Sequence, residues 1–171
     1  VYDLMVYLMC CTGTVLDVGV VGGAVRDTLF KEAGSINDID LVVACVWPVL
    51  TKHFEDFLTL SGKSADAKRD KGKSRAFGCF KVKRLGKENE DLDVAVFKAM
   101  RIEYGDGVEQ TKISPVYSHG YSYALDARSR DFRVNAVYFS LLGTGFFYDP
   151  SGFGLVDANP KLHGEKCIAR Y

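Results

Sequence analysis

Asp38-Ile39-Asp40 sets two carboxylates two residues apart. On a strand they share one face while Ile39 turns to the other. Like charges held that close are costly unless a cation neutralises them, and an all-oxygen ligand set selects Mg²⁺ or Mn²⁺. Such a pair also occurs on ordinary solvated surfaces. Leu92-Asp93-Val94-Ala95-Val96 shifts the balance, because Leu92, Val94 and Val96 alternate inward and leave Asp93 on the opposite face of a neighbouring strand. Three carboxylates on one sheet face suit two-metal phosphoryl or nucleotidyl transfer. Gly22-Gly23 adds a complementary feature. Two glycines between a buried strand and a helix leave backbone N–H groups open to an anion, and Arg26, one turn in, can add a bidentate phosphate contact. The plainer alternative is a tight turn with Arg26 and Asp27 paired on the surface. Farther on, the segment Asp126–Ala136 reads as a helix. There Arg130 and Arg133, or Asp131 and Asn135, lie one turn apart, and either face one ligand or lace an exposed helix with i,i+4 charge pairs.

Other patterns fail on spacing. Gly62-Lys63-Ser64 and Gly72-Lys73-Ser74 mimic the end of a P-loop, but Phe57 and Ala67 stand where its other glycine belongs. Gly19, Gly22 and Gly23, with Asp40 beyond, outline a dinucleotide-binding unit with the wrong glycine interval. His53, His119 and His163 are scattered, and the five cysteines form no CxxC pair, which argues against a zinc enzyme. An odd cysteine count with Cys10 and Cys11 adjacent argues against a disulfide framework and for a reducing, intracellular, cytoplasmic setting.

These residues need a scaffold, and the hydrophobic pattern supplies one. Val1–Cys11 reads as an apolar helix, Thr14–Val21 as a buried strand and Ala24–Phe30 as a short helix. Asp38–Val43 is a second strand, and Trp47–Leu60 a helix opened by Pro48. Ala76–Arg84 and Leu92–Phe97 are strands joined as a hairpin through Leu85–Asp91. Lys98–Tyr123, with Pro115, reads as a loop. Val137–Leu142 and Phe146–Tyr148 form another hairpin before a turn at Asp149–Gly152. With no repeat or linker, the pattern predicts one mixed α/β (α+β) domain around a small central sheet.

The ordered set Val21-Gly22-Gly23-Ala24-Val25-Arg26-Asp27, Asp38-Ile39-Asp40, Phe77-Gly78, Asp93, Arg130-Asp131-Phe132-Arg133-Val134-Asn135-Ala136 and Tyr148-Asp149-Pro150-Ser151-Gly152 resembles the head domain of the class II tRNA nucleotidyltransferase (CCA-adding enzyme) and bacterial poly(A) polymerase family. The resemblance runs from about Val15 to Arg170. It implies the nucleotidyltransferase fold of the polymerase-β superfamily, a mixed sheet flanked by helices. It further implies that Asp38 and Asp40 bind two Mg²⁺ ions and that Asp93 is the third acid. Gly22, Gly23 and Arg26 then match the triphosphate-holding turn, and Arg130, Asp131 and Asn135 the motif that contacts the nucleotide's sugar and phosphates. The implied reaction is attack of an RNA 3′-hydroxyl, at a tRNA end or in poly(A)-type addition, on the α-phosphate of ATP or CTP.

Three departures accompany the resemblance. Ser129 stands where the family carries the first arginine of its RRDF motif. Lys98-Ala99-Met100 replaces its RTE, with Arg101-Ile102-Glu103 three residues later. The resemblance also implies a single head over residues 1–171, without the helical neck, body and tail in which the family selects its base and grips tRNA. Alternative readings are a stand-alone head-like transferase acting on a protein or small molecule, and a non-catalytic nucleotide- or RNA-binding module.

The composition is that of a soluble globular domain, 47% hydrophobic and 26% charged. No apolar run approaches the roughly 18 residues of a membrane span. The 22 basic and 22 acidic residues cancel, but the cancellation hides a cluster. Between Lys68 and Lys87 lie nine basic residues against Asp70 alone. Within it, Lys73, Arg75, Lys81, Lys83 and Arg84 are the candidate RNA contacts, placed to steer polyanions toward the carboxylates.

Overall fold

The computed structural model describes residues 2–30, 38–62, 79–83, 91–105, 108–115, 122–141 and 145–159. Six strands form one mixed sheet in the order β3-β4-β2-β1-β7-β8: β1 is Val18–Val21, β2 Asp38–Val43, β3 Cys79–Lys83, β4 Asp91–Val96, β7 Tyr138–Ser140 and β8 Phe146–Tyr148. The β2–β4 pair is parallel and the other pairs are antiparallel. Five helices accompany them among the described residues: α1 (Tyr2–Cys10), α2 (Gly23–Phe30), α3 (Trp47–Leu60), α4 (Ser122–Arg128) and α5 (Gly154–Ala158).

Strand alternation divides the sheet into two faces. One carries Val18, Leu41, Val43, Leu92, Val94 and Val96, all buried, which pack with Leu4 and Leu8 of α1 and with Leu50, Phe54, Phe57 and Leu58 of α3. The i, i+4, i+7, i+8 spacing of those four α3 residues makes one apolar stripe, and Pro48 occupies the first turn of the helix, where its missing N–H costs nothing. The opposite face carries a smaller cluster: Val21, Val42, Phe97, Ala127, Ala136 and Tyr138. Edge-to-face contacts of Tyr123 with Phe97 (4.8 Å) and Tyr138 (4.9 Å) seat α4 there.

Two expectations are corrected. Lys98–Tyr123 is not a loop. Lys98–Gly105 (β5) and Val108–Pro115 (β6) pair antiparallel as a separate two-stranded sheet, and Ser122 already opens α4. The pairing closes at Gly105 opposite Val108, and the two residues between them in the sequence are Asp106 and Gly107, a favoured pair for a two-residue hairpin loop. Pro115 sits at the strand end, where a missing donor is tolerated. Asp126–Ala136 is not one helix either. α4 stops at Arg128, where Ser129 turns its N–H (2.9 Å) and Oγ (2.7 Å) onto the Asp126 carbonyl, and a 3₁₀ turn at Arg133–Asn135 follows. Serine competing for that carbonyl ends the helix.

The first strand is shorter than expected, starting at Val18 rather than Thr14, although Leu16 and Asp17 still exchange backbone hydrogen bonds with Ala44. The expected connection Leu85–Asp91 lies, but for Asp91, outside the described residues, as do Phe77-Gly78, Lys73, Arg75 and Arg84. No helix among the described residues is long and apolar enough to cross a membrane.

Candidate active site

Strand register brings the carboxylates and the glycine turn together. In the parallel β2–β4 pair, Asp38 lies opposite Asp91 and Asp40 opposite Asp93. On the other side of β2, antiparallel β1 sets Val21 opposite Asp40. The next residue, Gly22, therefore lands against the Asp40 carboxylate. Its φ of 78° is left-handed, and a Cβ there would lie 2.6 Å from Asp40 Oδ2. Only glycine serves both conditions without displacing the acid. Asp38 is exposed, whereas Asp40 and Asp93 are half-buried. The Oδ1 atom of Asp93 is buried without a hydrogen bond from the described residues, although Asp93 makes other contacts.

Gly23 opens α2, and the Arg26 guanidinium folds back toward it, with one terminal nitrogen 3.4 Å from where a Gly23 Cβ would stand. Arg26 Nε donates to Asp27 Oδ1 at 2.8 Å, so the pairing expected of a plain turn is present. Its Nη1 also donates to Asn135 Oδ1 at 2.9 Å. That second bond joins two sequence-predicted site residues from distant segments.

The remaining members of the second motif diverge. Arg130 donates through Nε to Asp126 Oδ2 (3.0 Å) and to the Tyr138 hydroxyl (3.2 Å), and lies 5.5 Å from the Tyr138 ring centroid. This is the i,i+4 ion pair of the plainer reading, but buried rather than exposed: Asp126 is 2% exposed. Burial alone would disfavour the Arg130 charge, yet the Asp126 carboxylate and the Tyr138 hydroxyl outweigh it and hold the guanidinium above its ordinary value. Tyr138 is pushed far above the usual phenol range by burial first and by the Asp126 charge second. Asp131 is exposed and accepts the N–H of its neighbour Phe132 at 2.9 Å. Arg133 forms a two-nitrogen pair with Asp157 of α5, at 2.8 and 3.3 Å. Among the described residues, Arg130 and Arg133 thus serve different partners, and Asp131 and Asn135 do not share one.

Of the supporting residues, Asp17, Tyr123, Ser140 and Gly154 carry no signal in the sequence. Tyr123 and Ser140 both donate to the Asp17 carboxylate, tying α4 and β7 to the start of β1. Burial, then the Asp17 contact, raises Tyr123 well above its ordinary value. Asp149 accepts from Ser151 Oγ (2.7 Å) and from the Leu155 N–H (2.9 Å), so the Tyr148–Gly152 motif caps α5. Gly154 lets α5 approach the 3₁₀ turn, since a Cβ there would meet the Arg133 carbonyl at 2.7 Å. Asp149 and Ser151 stand in a motif already singled out, and Asp126 had a hint in its spacing four residues before Arg130.

The donor set fits a hard divalent cation. It is oxygen-only, and the bare Gly22 leaves space over Asp40 Oδ2 that a side chain would fill. Among the described residues no three of His, Cys, Asp and Glu are gathered into a ready-made metal cage. Magnesium in phosphoryl-transfer sites does not need one, because it takes one or two carboxylates and completes its shell with phosphate oxygens and water.

The candidate basic RNA contacts are only partly placed. Lys81 and Lys83 lie on β3, where the backbone register sets Lys81 opposite Asp93 and Lys83 opposite Asp91.

Known proteins resemble this chain in sequence and fold. Residues 18–162 match the Poly A polymerase head domain family. A tRNA nucleotidyltransferase solved with a primer tRNA and an incoming ATP analog is similar at TM-score 0.56 and 26% identity, over 90% of this chain and 36% of that one. The Thermotoga maritima CCA-adding enzyme complexed with tRNA superposes at TM-score 0.56 and 20% identity, covering 92% of this chain and 30% of its own. The Bacillus stearothermophilus CCA-adding enzyme in complex with CTP gives TM-score 0.55 and 24% identity, over 91% and 30%. The chain thus spans about a third of the length of these proteins. No curated protein matches it. With its mixed sheet flanked by helices in the nucleotidyltransferase fold of the polymerase-β superfamily, the chain belongs to the Poly A polymerase head domain family.

Proposed function

We propose that residues 1–171 form a single nucleotidyltransferase head that transfers NMP from ATP or CTP to the 3′-hydroxyl of an RNA, in the manner of tRNA CCA addition or poly(A)-type addition. The observation that carries this reading is the convergence of Gly22, Asp40 and Asp93, set side by side by the β1–β2 and β2–β4 registers. In the reaction the hydroxyl oxygen bonds to the α-phosphorus as the α–β phosphoanhydride bond breaks. Pyrophosphate leaves, and the hydroxyl proton passes to water.

Asp38, Asp40 and Asp93 would hold Mg²⁺, or Mn²⁺ in its place. Bound there, such ions lower the pKa of an attacking hydroxyl and neutralise triphosphate charge. The chain's own residues orient the nucleotide. Gly22 and Gly23 let the triphosphate approach the backbone where α2 begins. Arg26 and Asn135, already joined, form a polar shelf beside that turn. Arg130 offers its two terminal nitrogens to phosphate, since both of its hydrogen bonds among the described residues use Nε. Asp131, exposed, suits the ribose rather than the phosphates. The basic residues Lys73, Arg75, Lys81, Lys83 and Arg84 attract the RNA strand, a term that weakens with salt.

The test is to incubate the chain with each labelled NTP, Mg²⁺ and total tRNA, and to follow the label. Label on RNA supports the proposal. Label on protein or on a small molecule instead moves the acceptor to another class, and the absence of any label, with NTP still bound, leaves a binding module.

A further inference from the structure

Arg130 and Arg133 are three residues apart and differ in how much of each guanidinium is already used. Arg133 spends Nε and Nη2 on Asp157, so one whole edge of its fork is closed by a carboxylate. Arg130 spends Nε alone, on a carboxylate and a hydroxyl that also bond each other: Tyr138 Oη donates to Asp126 Oδ2 at 2.7 Å. Asp126 is 2% exposed, and its other oxygen accepts the Lys98 N–H at 2.9 Å, which anchors it to the start of β5. Burying a carboxylate costs several kcal/mol, which three donors, one of them cationic, can offset. A buried carboxylate with its hydrogen bonds satisfied in this way rigidifies the groups around it. The neighbouring Asp131 does not do this, since it is exposed and accepts from the Phe132 N–H.

We propose that Asp126 is a positioning residue: its buried carboxylate, with the Tyr138 hydroxyl, grips Arg130 by Nε and keeps both terminal nitrogens available to the triphosphate. The inference rests on the proposed function, in which a triphosphate binds beside the Gly22 turn. It assigns Asp126 no contact with substrate. A residue that acts through Arg130 has no effect on triphosphate binding once Arg130 is gone, whereas one that merely supports the fold weakens binding in either background.

The experiment titrates Mg·ATP and Mg·CTP against the 171-residue chain and its variants, with thermal unfolding recorded in parallel. Asp126→Asn is expected to weaken triphosphate binding roughly tenfold in the unmodified chain. In an Arg130→Ala background the same change is expected to add nothing. Unchanged affinity in Asp126→Asn, or an equal loss with and without Arg130, overturns the positioning role. If Asp126→Asn does not fold, Tyr138→Phe decides by the same cycle, with an expected loss of about threefold that also vanishes without Arg130. An unmodified chain that binds neither triphosphate overturns the proposed function itself. A chain that binds but ignores Asp126 and Tyr138 overturns only this inference.

Discussion

On one face of the sheet, Val18, Leu41, Val43, Leu92, Val94 and Val96 meet α1 and α3 in a single apolar layer. On the other, six buried residues share the surface with Asp40, Asp93 and the Asp126–Arg130–Tyr138 and Asp17–Tyr123–Ser140 contacts. Both layers come from the same strands, since Leu41 and Val43 alternate with Asp40 and Val42. The apolar layer stabilises, at about 1.5–3 kcal/mol for each large buried side chain. That surplus lets the opposite face hold like charges and buried polar groups together. A two-residue period is enough to separate stability from chemistry.

The sharpest way to break this division is Asp38→Ala combined with Asp40→Ala. Transfer of label from NTP is expected to fall about a thousandfold or more, with the fold intact. A double variant that transfers normally sinks the carboxylate assignment. The reverse change is Leu92→Ala on the apolar face. Chemical denaturation is expected to show a loss of about 2–5 kcal/mol, while the folded fraction keeps its triphosphate affinity. Gly22→Ala belongs to both faces of the argument, being strained by its positive φ and pressed on Asp40 Oδ2. It is expected to cost about 1–3 kcal/mol in stability and to lower transfer among the molecules that remain folded. A Gly22→Ala chain as stable and active as the parent contradicts the close approach.

The smallest expected effect is a pH dependence. Cys45, on the helix-covered face, is pushed up to about 12 by burial. Tyr123 and Tyr138, on the other, are held above their ordinary values, also by burial first. In each case the folded value exceeds the unfolded one. Their contribution is therefore complete below the unfolded values of about 9 and 10, and is lost as pH rises through the folded values. Unfolding free energy is expected to decline above about pH 9. Tyr138→Phe should flatten that decline, by removing a group that the unfolded chain ionises first. An unaltered slope would show that Tyr138 does not contribute.

Much of this was legible in the residues. The bounds of β2 and α3 follow from their hydrophobic patterns, and the β3–β4 and β7–β8 hairpins pair as alternation and turn residues predict. The Lys98–Tyr123 region reads as a loop because, among the described residues, its strands pair with each other rather than with the central sheet, and polar residues interrupt their pattern. The Asp126–Ala136 segment reads as one helix because helical spacing continues past Ser129, while a side-chain bond to the Asp126 carbonyl stops the helix.

The sequence alone determined which residues carry charge, which alternate inward, and which motifs follow one another. Those are properties of near neighbours, and strand and helix periods express them directly. Only the tertiary structure decided that Gly22 presses on Asp40, that Arg26 reaches Asn135, and that Asp126 rather than Asp131 holds Arg130. The first two depend on register and packing between segments far apart in the chain. The third turns on burial, which decides which of two nearby carboxylates needs a cation enough to keep it.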